Sequence, residues 1–203
     1  MGRIVVATLN AGKFREIREI LRDIGAELVS LADFPEIEPI AENGATFEEN
    51  ALSKAREASI RTGLPAIADD SGLEVFALNG APGIRSARYA GEPADDKSNN
   101  AKLLADLNGV EQDKRGCRFV CVACMYDPQG KYEFVRGECL GRILTAPRGC
   151  AGFGYDPLFL VPELGLTMAE LPLVVKNRIS HRARAFAEVK RLLPGFLGGQ
   201  ADA

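Results

Sequence analysis

Apolar and polar positions along the chain indicate strands and helices that follow one another in turn. Short apolar, β-branched runs predict three buried strands, over 3–9, 27–31 and 66–68. After the first run, apolar residues recur at helical spacing from Phe14 to Ile24, and Gly25 stands where a C-terminal cap belongs. The first third of the chain therefore predicts strands that alternate with helices.

The rest of the chain adds helices and a hairpin. A capping box begins at Thr46 and predicts a helix to Thr62 that Gly63 ends. Further helices are predicted over 95–107 and from Ser180 to a stop at Pro194, and two long strands over 117–127 and 133–144 form a hairpin. This order predicts an α/β fold with a mixed sheet flanked by helices. We expect one domain over 1–203, with a frayed tail over 195–203.

Composition narrows the class of protein. The chain has 203 residues, of which 46% are hydrophobic and 26% charged, as is typical of globular domains. It shows no apolar run of the roughly 18 residues that a membrane span needs and no signal-peptide layout after Met1, so we expect a soluble cytoplasmic protein that binds no membrane. A net charge of −3 disfavours general nucleic-acid binding.

Five cysteines are an odd number for a chain of this size, and we expect free thiols in a reducing compartment. Cys117, Cys121 and Cys124 have the spacing of an iron–sulfur motif, but they stand in a continuous β-rich run. A buried strand is therefore the preferred interpretation of this segment.

The first candidate for chemistry lies between the first strand and the first helix. Thr8, Asn10 and Lys13 surround a polar turn that opens a helix, where backbone N–H groups and the positive helix end favour phosphate. The alternative is an ordinary strand–helix turn with a solvated lysine.

Asp69 and Asp70 follow an apolar strand directly. Successive strand residues point to opposite faces, so the two carboxylates are expected to have different roles: binding a hard cation, orienting water or accepting a hydrogen bond. The alternative is an Asx turn that closes the strand. Glu42 and Lys54 gain significance only if Glu42 meets Asp70 in space.

Two later segments are weaker candidates. The loop around Phe153 has glycines beside an aromatic ring, which suits stacking on a base; a packed surface loop is the alternative. His181 and Arg182 begin the last helix and could donate to carbonyl or phosphate oxygens. The alternative there is a basic, solvated helix start.

In this order, from about Arg3 to Leu193, these segments resemble the inosine triphosphate pyrophosphatase family, which acts on non-canonical purine nucleoside triphosphates. The resemblance is carried by six motifs, Thr8-x-Asn10-x-x-Lys13, Thr46-Phe47-x-Glu49-Asn50-Ala51, Ala68-Asp69-Asp70-Ser71-Gly72-Leu73, Gly80-Ala81-Pro82-Gly83, Phe153-Gly154-Tyr155-Asp156-Pro157 and Ser180-His181-Arg182. The chain departs from the family at Leu9, where a small residue is common, and at Val174 and Val175, where acidic residues are common.

The resemblance implies an elongated α/β fold with two lobes and a central substrate cleft, and a homodimer. It implies hydrolysis of ITP, dITP or XTP between the α and β phosphates, which removes deaminated purines from the nucleotide pool. Asp70 would accept the proton of the attacking water, and Glu42 and Asp70 would bind one Mg²⁺ per subunit. The substrate would contact Thr8, Leu9, Asn10, Ala11, Gly12, Lys13, Lys54, Ser71, Phe153, Gly154, Tyr155, Asp156, Lys176, His181 and Arg182.

Base selection follows from donors at the 6-carbonyl of the purine. His181 and Arg182 would match that oxygen and leave the amino group of adenine unmatched. Arg182→Ala is then expected to weaken discrimination or binding more than it harms the fold. Two other functions stay open at this point, a non-catalytic sensor of Mg-nucleotide and a phosphomonoesterase.

Overall fold

The structure is a computed structural model that describes residues 2–198. Over that range the chain forms seven strands: β1 (Arg3–Val6), β2 (Glu27–Ser30), β3 (Ala66–Val75), β4 (Gly116–Tyr126), β5 (Tyr132–Ile143), β6 (Phe159–Val161) and β7 (Leu166–Thr167). It also forms five α-helices: α1 (Ala11–Ile20), α2 (Phe47–Thr62), α3 (Asp96–Asp106), α4 (Leu173–Ile179) and α5 (His181–Gly198).

The strands form one mixed sheet, in the order β2-β1-β3-β4-β5-β6-β7. β1 pairs in parallel with β2 and with β3, whereas β6 pairs antiparallel with β5 and with β7. The predicted α/β class and mixed sheet are therefore confirmed. The predicted hairpin is also confirmed, because β4 and β5 are neighbours in the sheet and begin and end within one residue of the predicted bounds.

Side-chain caps explain where the first three helices begin. The side chains of Asn10, Thr46 and Asp95 each accept a hydrogen bond from a backbone N–H three residues ahead. α2 ends at Gly63, whose φ of 68° is the left-handed conformation of a C-terminal cap.

Four predicted boundaries are wrong. α1 ends at Ile20 with its C-terminal cap at Leu21, before the predicted cap at Gly25, because the N–H of Leu21 closes the last helical turn on Ile17. β1 ends at Val6 because the N–H of Thr8 turns back to the carbonyl of Val6. β3 runs on through both aspartates to Val75, so no Asx turn closes it at Asp69. The short helix α4 was not predicted.

The last boundary concerns the end of α5. Pro194 lies inside this helix rather than ending it. Leu193 before it and Phe196 after it are both buried in the core of the first unit, and this burial offsets the helical hydrogen bond that proline cannot form. The helix therefore covers 195–198 of the predicted frayed tail, and 199–203 lie outside the described residues.

The chain divides into two compact units, each with its own apolar core. The first unit holds residues up to 70, 121–137 and those from 182 onward; the second holds 71–120 and 138–181. In the first unit, α1 and α5 pack on β1, β3 and β4 through residues that include Ile4, Ile17, Leu21, Ile67, Phe186 and Val189. In the second unit, α3 packs on strand residues that include Leu73, Val75, Cys117, Phe119 and Ile143.

The five cysteines are free thiols, as predicted, and Cys117, Cys121 and Cys124 are buried on β4. Burial raises the pKa of the Cys124 thiol to about 12, which makes it a poor metal ligand or nucleophile. Among the described residues, no helix is both long enough and apolar enough to cross a membrane.

Candidate active site

The start of α1 in the first unit is built by short-range hydrogen bonds. The Oγ1 of Thr8 accepts from the N–H of Asn10 at 3.2 Å, and the Oδ1 of Asn10 accepts from the N–H of Lys13 at 3.0 Å. Ala11 and Gly12 form the first turn, where N–H groups have no intrahelical carbonyl partner. Leu9 is 53% exposed, so its side chain, which is larger than the small residue common in the family, does not have to fit into the core at this turn.

Two buried aspartates lie side by side on β3 and have different partners. The Oδ2 of Asp69 lies 3.1 Å from the Nζ of Lys13 and 3.3 Å from Nη2 of Arg182. The carboxylate of Asp70 instead accepts from Asn50 and faces Lys54. The two neighbouring carboxylates therefore lie in different surroundings, and their separate roles stay a prediction.

Glu42 and Asp70 meet at the ammonium group of Lys54. The Nζ of Lys54 donates to Oε1 of Glu42 at 2.6 Å and to the backbone carbonyl of Asp69 at 2.7 Å, and it lies 3.5 Å from Oδ1 of Asp70. Glu42 therefore fulfils the condition that gave it significance in the sequence. Two carboxylates converge on one positive charge.

Asn50 is a site residue that the sequence analysis did not single out. Its side chain is buried; its Nδ2 donates to Oδ2 of Asp70 at 2.9 Å, and its Oδ1 accepts from the N–H of Gly44 at 2.7 Å. One amide thus orients Asp70 and fixes the loop that carries Glu42. The signal was present, because Asn50 stands four residues before Lys54 and so lies on the same helix face.

The pKa directions of this cluster follow from its geometry. Burial is the largest influence on Asp70 and raises the pKa of its carboxyl group above 3.8, although Lys54 opposes the shift. Burial also acts to raise the pKa of Glu42, but the adjacent Lys54 overrides it and the net pKa is lowered. For Lys54 the carboxylates outweigh burial and raise the pKa of the ammonium group. Glu42 is thus held as the anion, while Asp70 is the carboxylate more easily protonated.

Arg182 occupies a setting that differs from the prediction. Its side chain is among the most buried in the first unit, with 1% of the residue exposed, and its Nη1 lies 2.6 Å from Oε2 of Glu16. Together with the contact to Asp69, this ion pair raises the pKa of the guanidinium against the effect of burial. The alternative interpretation, a basic and solvated helix start, is therefore wrong for Arg182. The guanidinium holds two buried carboxylates.

In the second unit, the loop around Phe153 is organised by Asp156. The Oδ2 of this carboxylate accepts from the N–H of Phe153 at 3.0 Å and from the Nζ of Lys176 at 2.6 Å. The same Nζ lies 4.9 Å from the centre of the Phe153 ring. Lys176 is buried, so its charge is compensated by Asp156 rather than exposed to solvent.

The other predicted residues of the second unit divide between this loop and the core. Tyr155 is buried and donates its hydroxyl to the carbonyl of Ser86 at 2.8 Å, so it belongs to the core and Phe153 alone is placed for stacking. His181 is also buried, and its ring stacks on Phe119 with centroids 4.8 Å apart. Ser71 directly follows Asp70 on β3.

Gly152 is required by the shape of this loop. Its φ is 80°, and a Cβ there would collide with the carboxylate of Asp156. The glycine therefore allows the chain to close over the side chain that binds Lys176 and the N–H of Phe153.

The structure thus brings the predicted residues together in two groups. In the first unit these are Thr8, Leu9, Asn10, Ala11, Gly12, Lys13, Glu42, Lys54 and Asp70, with Arg182 beneath them through Asp69. In the second unit Phe153, Gly154, Asp156 and Lys176 form one loop cluster. Within residues 2–198, no three His, Cys, Asp or Glu side chains are arranged to enclose a metal ion by themselves.

Comparison with known proteins covers nearly the whole chain. The Ham1 family matches residues 4–192. The dITP/XTP pyrophosphatase of Geobacter sulfurreducens is 56% identical over 200 residues, 98% of each chain, and that of Desulforamulus reducens is 50% identical over 94% of this chain and 95% of its own. The structure of a HAM1 protein from Coxiella burnetii is similar with a TM-score of 0.87 and 42% identity, over 96% of this chain and all of the other. This chain belongs to the Ham1 family.

Proposed function

We propose that this chain hydrolyses deaminated purine nucleoside triphosphates, namely dITP, ITP and XTP, between the α and β phosphates. The products would be the nucleoside monophosphate and pyrophosphate, and the reaction would remove these nucleotides from the pool. The observation that carries the proposal is the convergence of Glu42 and Asp70 on Lys54, in a chain 56% identical to a dITP/XTP pyrophosphatase.

The donor set of the first unit fits a hard divalent cation. Mg²⁺ is usually bound in proteins by one or two carboxylates together with substrate phosphates, and Glu42 and Asp70 supply two that already converge on a positive charge. In this cluster four carboxylates face three cationic side chains, with Glu16 and Arg182 completing the set. The cluster is thus net negative, which is unsuited to a polyanion until a divalent cation binds.

Mg²⁺ bound there would neutralise phosphate charge and lower the pKa of a bound water. We assign one Mg²⁺ per subunit to Glu42 and Asp70. Lys13 and Lys54 would contact the phosphates from either side, and the N–H groups of the α1 turn would donate to phosphate oxygens.

Asp70 is the residue to accept the proton of the attacking water. A new bond forms between the water oxygen and phosphorus while the anhydride bond between the α and β phosphates breaks. Burial raises the pKa of Asp70 and makes it a better proton acceptor than an exposed aspartate. The hydrogen bond from Asn50 engages Oδ2 and orients the carboxylate.

The purine is assigned to the second unit. Phe153 offers a ring face for stacking, and Gly154, Asp156 and Lys176 shape the loop beside it. Ser71 and His181 are assigned to substrate contacts, His181 as a donor to the 6-carbonyl. We assign to Arg182 the holding of Asp69 and Glu16 in place of base recognition, since its terminal nitrogens contact both carboxylates.

We also propose a cytoplasmic homodimer that binds neither membrane nor nucleic acid. The five free thiols support a cytoplasmic location, and the net charge of −3 supports the absence of nucleic-acid binding. The homodimer rests on the family resemblance. The sensor and phosphomonoesterase alternatives find no support, because the relatives are named pyrophosphatases.

The test is a product assay with ITP, XTP, ATP and GTP, with Mg²⁺ and with EDTA. Asp70→Asn is compared with Asp23→Asn, which changes an exposed carboxylate of the same unit. We expect pyrophosphate and IMP from ITP and little product from ATP. Activity should be lost in Asp70→Asn and in the presence of EDTA, whereas Asp23→Asn should keep it. Orthophosphate as product, or binding of ITP with no turnover, would overturn the proposal.

A further inference from the structure

The first two turns of α3 hold Gly154 of the Phe153 loop through both of its backbone polar groups. In the second unit, the Oδ2 of Asp96 accepts from the N–H of Gly154 at 2.7 Å, and the Nδ2 of Asn100 donates to the carbonyl of Gly154 at 2.8 Å. We propose that Asp96 and Asn100 are positioning residues that fix the base-stacking loop. The inference rests on the proposed function and adds two residues that are not among the predicted site residues.

The two side chains act as one device because of their spacing. Residues four apart on a helix lie on the same face, one turn above the other. Asp96 and Asn100 therefore present an acceptor and a donor to the two backbone polar groups of a single residue. Gly154 meets them with a φ of 62°, a left-handed conformation that glycine adopts readily.

The contact with Asp96 helps to fix the backbone conformation of Phe153. The N–H of Gly154 belongs to the peptide bond that follows Phe153, whereas the N–H of Phe153 belongs to the peptide bond before it. Asp96 holds the first and Asp156 holds the second. With both flanking peptides held, the backbone angles of Phe153 are fixed, and so is the direction in which its Cα–Cβ bond leaves the loop.

Asp96 is not needed to begin the helix. The N-cap of α3 is Asp95, whose carboxylate accepts from the N–H of Ser98 at 2.7 Å. Asp96 is exposed, and its carboxylate reaches the Gly154 peptide 58 residues further along the chain. Its contact with the loop thus serves the loop rather than the local helix.

The helix itself is a firm support for the loop. Asn99 is buried, accepts from the N–H of Ala90 at 2.7 Å and donates to the carbonyl of Ala87 at 2.9 Å. Leu103 and Leu107 anchor the other end in the core of the second unit. A peptide bound to this helix is therefore bound to the packed part of the unit.

The experiment compares Asp96→Ala, Asn100→Ala and the double variant with Lys102→Ala. Lys102 lies on the same helix and pairs with Asp106, which makes it the matched control. KM and kcat are measured with ITP and Mg²⁺. Inhibition is measured with IMP, which carries the base, and with pyrophosphate, which does not.

Each single variant should raise KM for ITP and the inhibition constant of IMP about three- to tenfold, as expected for one lost hydrogen bond. The kcat and the inhibition constant of pyrophosphate should stay unchanged, and so should every constant of Lys102→Ala. The double variant should lose less than the product of the single effects, because both side chains hold the same residue, Gly154. Asp96→Asn, which keeps an acceptor oxygen, should recover part of the loss.

Unchanged KM and IMP inhibition in folded variants would overturn the inference. An equal loss of IMP and pyrophosphate binding would also overturn it, because it would indicate general structural damage. If Asp96→Ala does not fold, Asp96→Asn and Asn100→Ala decide the question. If the unaltered enzyme fails to hydrolyse ITP, the proposed function fails, and direct binding of IMP to the same variants still tests the role of Asp96 and Asn100.

Discussion

Replacing Arg182 by alanine should destabilise the first unit, and this effect should exceed any change in base discrimination. The guanidinium lies 2.6 Å from Glu16 and 3.3 Å from Asp69, and all three side chains are buried. Removal of one partner of a buried ion pair typically costs about 3–5 kcal/mol, because the remaining charge stays buried without its compensation. Here one change removes a cation from two carboxylates, of which Asp69 keeps its contact with Lys13, so we expect a cost within that range.

The assay is thermal unfolding followed by circular dichroism, in buffer with EDTA at pH 7. For a chain of this length, 1 kcal/mol corresponds to a change in Tm of about 2–4 °C, so Arg182→Ala should lower Tm by about 6–20 °C. Arg191→Ala is the matched control. Arg191 lies on the same helix and forms an exposed pair with Glu188, so its removal should leave Tm unchanged within error.

A double-mutant cycle separates the ion pair from lost packing. Glu16→Gln should lower Tm less in an Arg182→Met background than in the unaltered protein. In that background the guanidinium that pairs with Glu16 is already gone, so removing the negative charge breaks no ion pair with Arg182. An unchanged Tm for Arg182→Ala, with an altered ratio of ITP to ATP hydrolysis, would refute the reasoning and restore Arg182 as a residue that reads the base.

Three further changes test the site. Asn50→Asp should lower kcat about ten- to hundredfold and should also lower Tm, because it replaces the buried donor to Asp70 by a like charge; full activity would contradict the positioning role of Asn50. Gly152→Ala should lower the free energy of unfolding by about 1–3 kcal/mol in denaturant titrations, because the backbone there has a positive φ and a Cβ would collide with Asp156. Gly195→Ala is the control and should not lower the free energy of unfolding, because a Cβ at Gly195 meets open space. Asp70→Asn should raise Tm at pH 7 in EDTA. Because the folded-state pKa of Asp70 is raised, the ionised carboxylate lowers the stability of the unaltered protein at pH 7. The difference in Tm between the variant and the unaltered protein should therefore vanish as pH falls towards 3.8. A variant with a lower Tm than the unaltered protein at pH 7 would count against this reasoning.

Local signals in the sequence were sufficient for the elements that local contacts determine. The caps of α2 and α3 and the β4–β5 hairpin lie within a residue or two of their predicted positions, because each depends on side chains a few residues apart. Pro194 shows the limit. Its local effect favours a helix end, but burial of Leu193 and Phe196 in the core continues α5 past it.

The candidate site was only partly predictable, for a related reason. Residue types and order indicated Glu42, Lys54 and Asp70, and the structure confirmed that they meet. The burial of Arg182 could not be read from its neighbours, because its partner Glu16 stands 166 residues away. A basic helix start looks the same in sequence whether it faces water or two buried carboxylates.

The neighbouring aspartates of β3 show how one strand can serve both stability and chemistry. Because adjacent side chains point to opposite faces, Asp69 meets Arg182 and Lys13, while Asp70 meets Lys54 and Asn50. Asp69 is surrounded by two cations, so its charge is compensated within the fold. For Asp70 burial is the largest influence on the pKa of the carboxyl group, and Lys54, which it shares with Glu42, does not offset it, so the pKa is raised. Burial together with the unequal sharing of cations therefore supports the proposed division, in which Asp69 compensates cations within the fold and Asp70 accepts a proton.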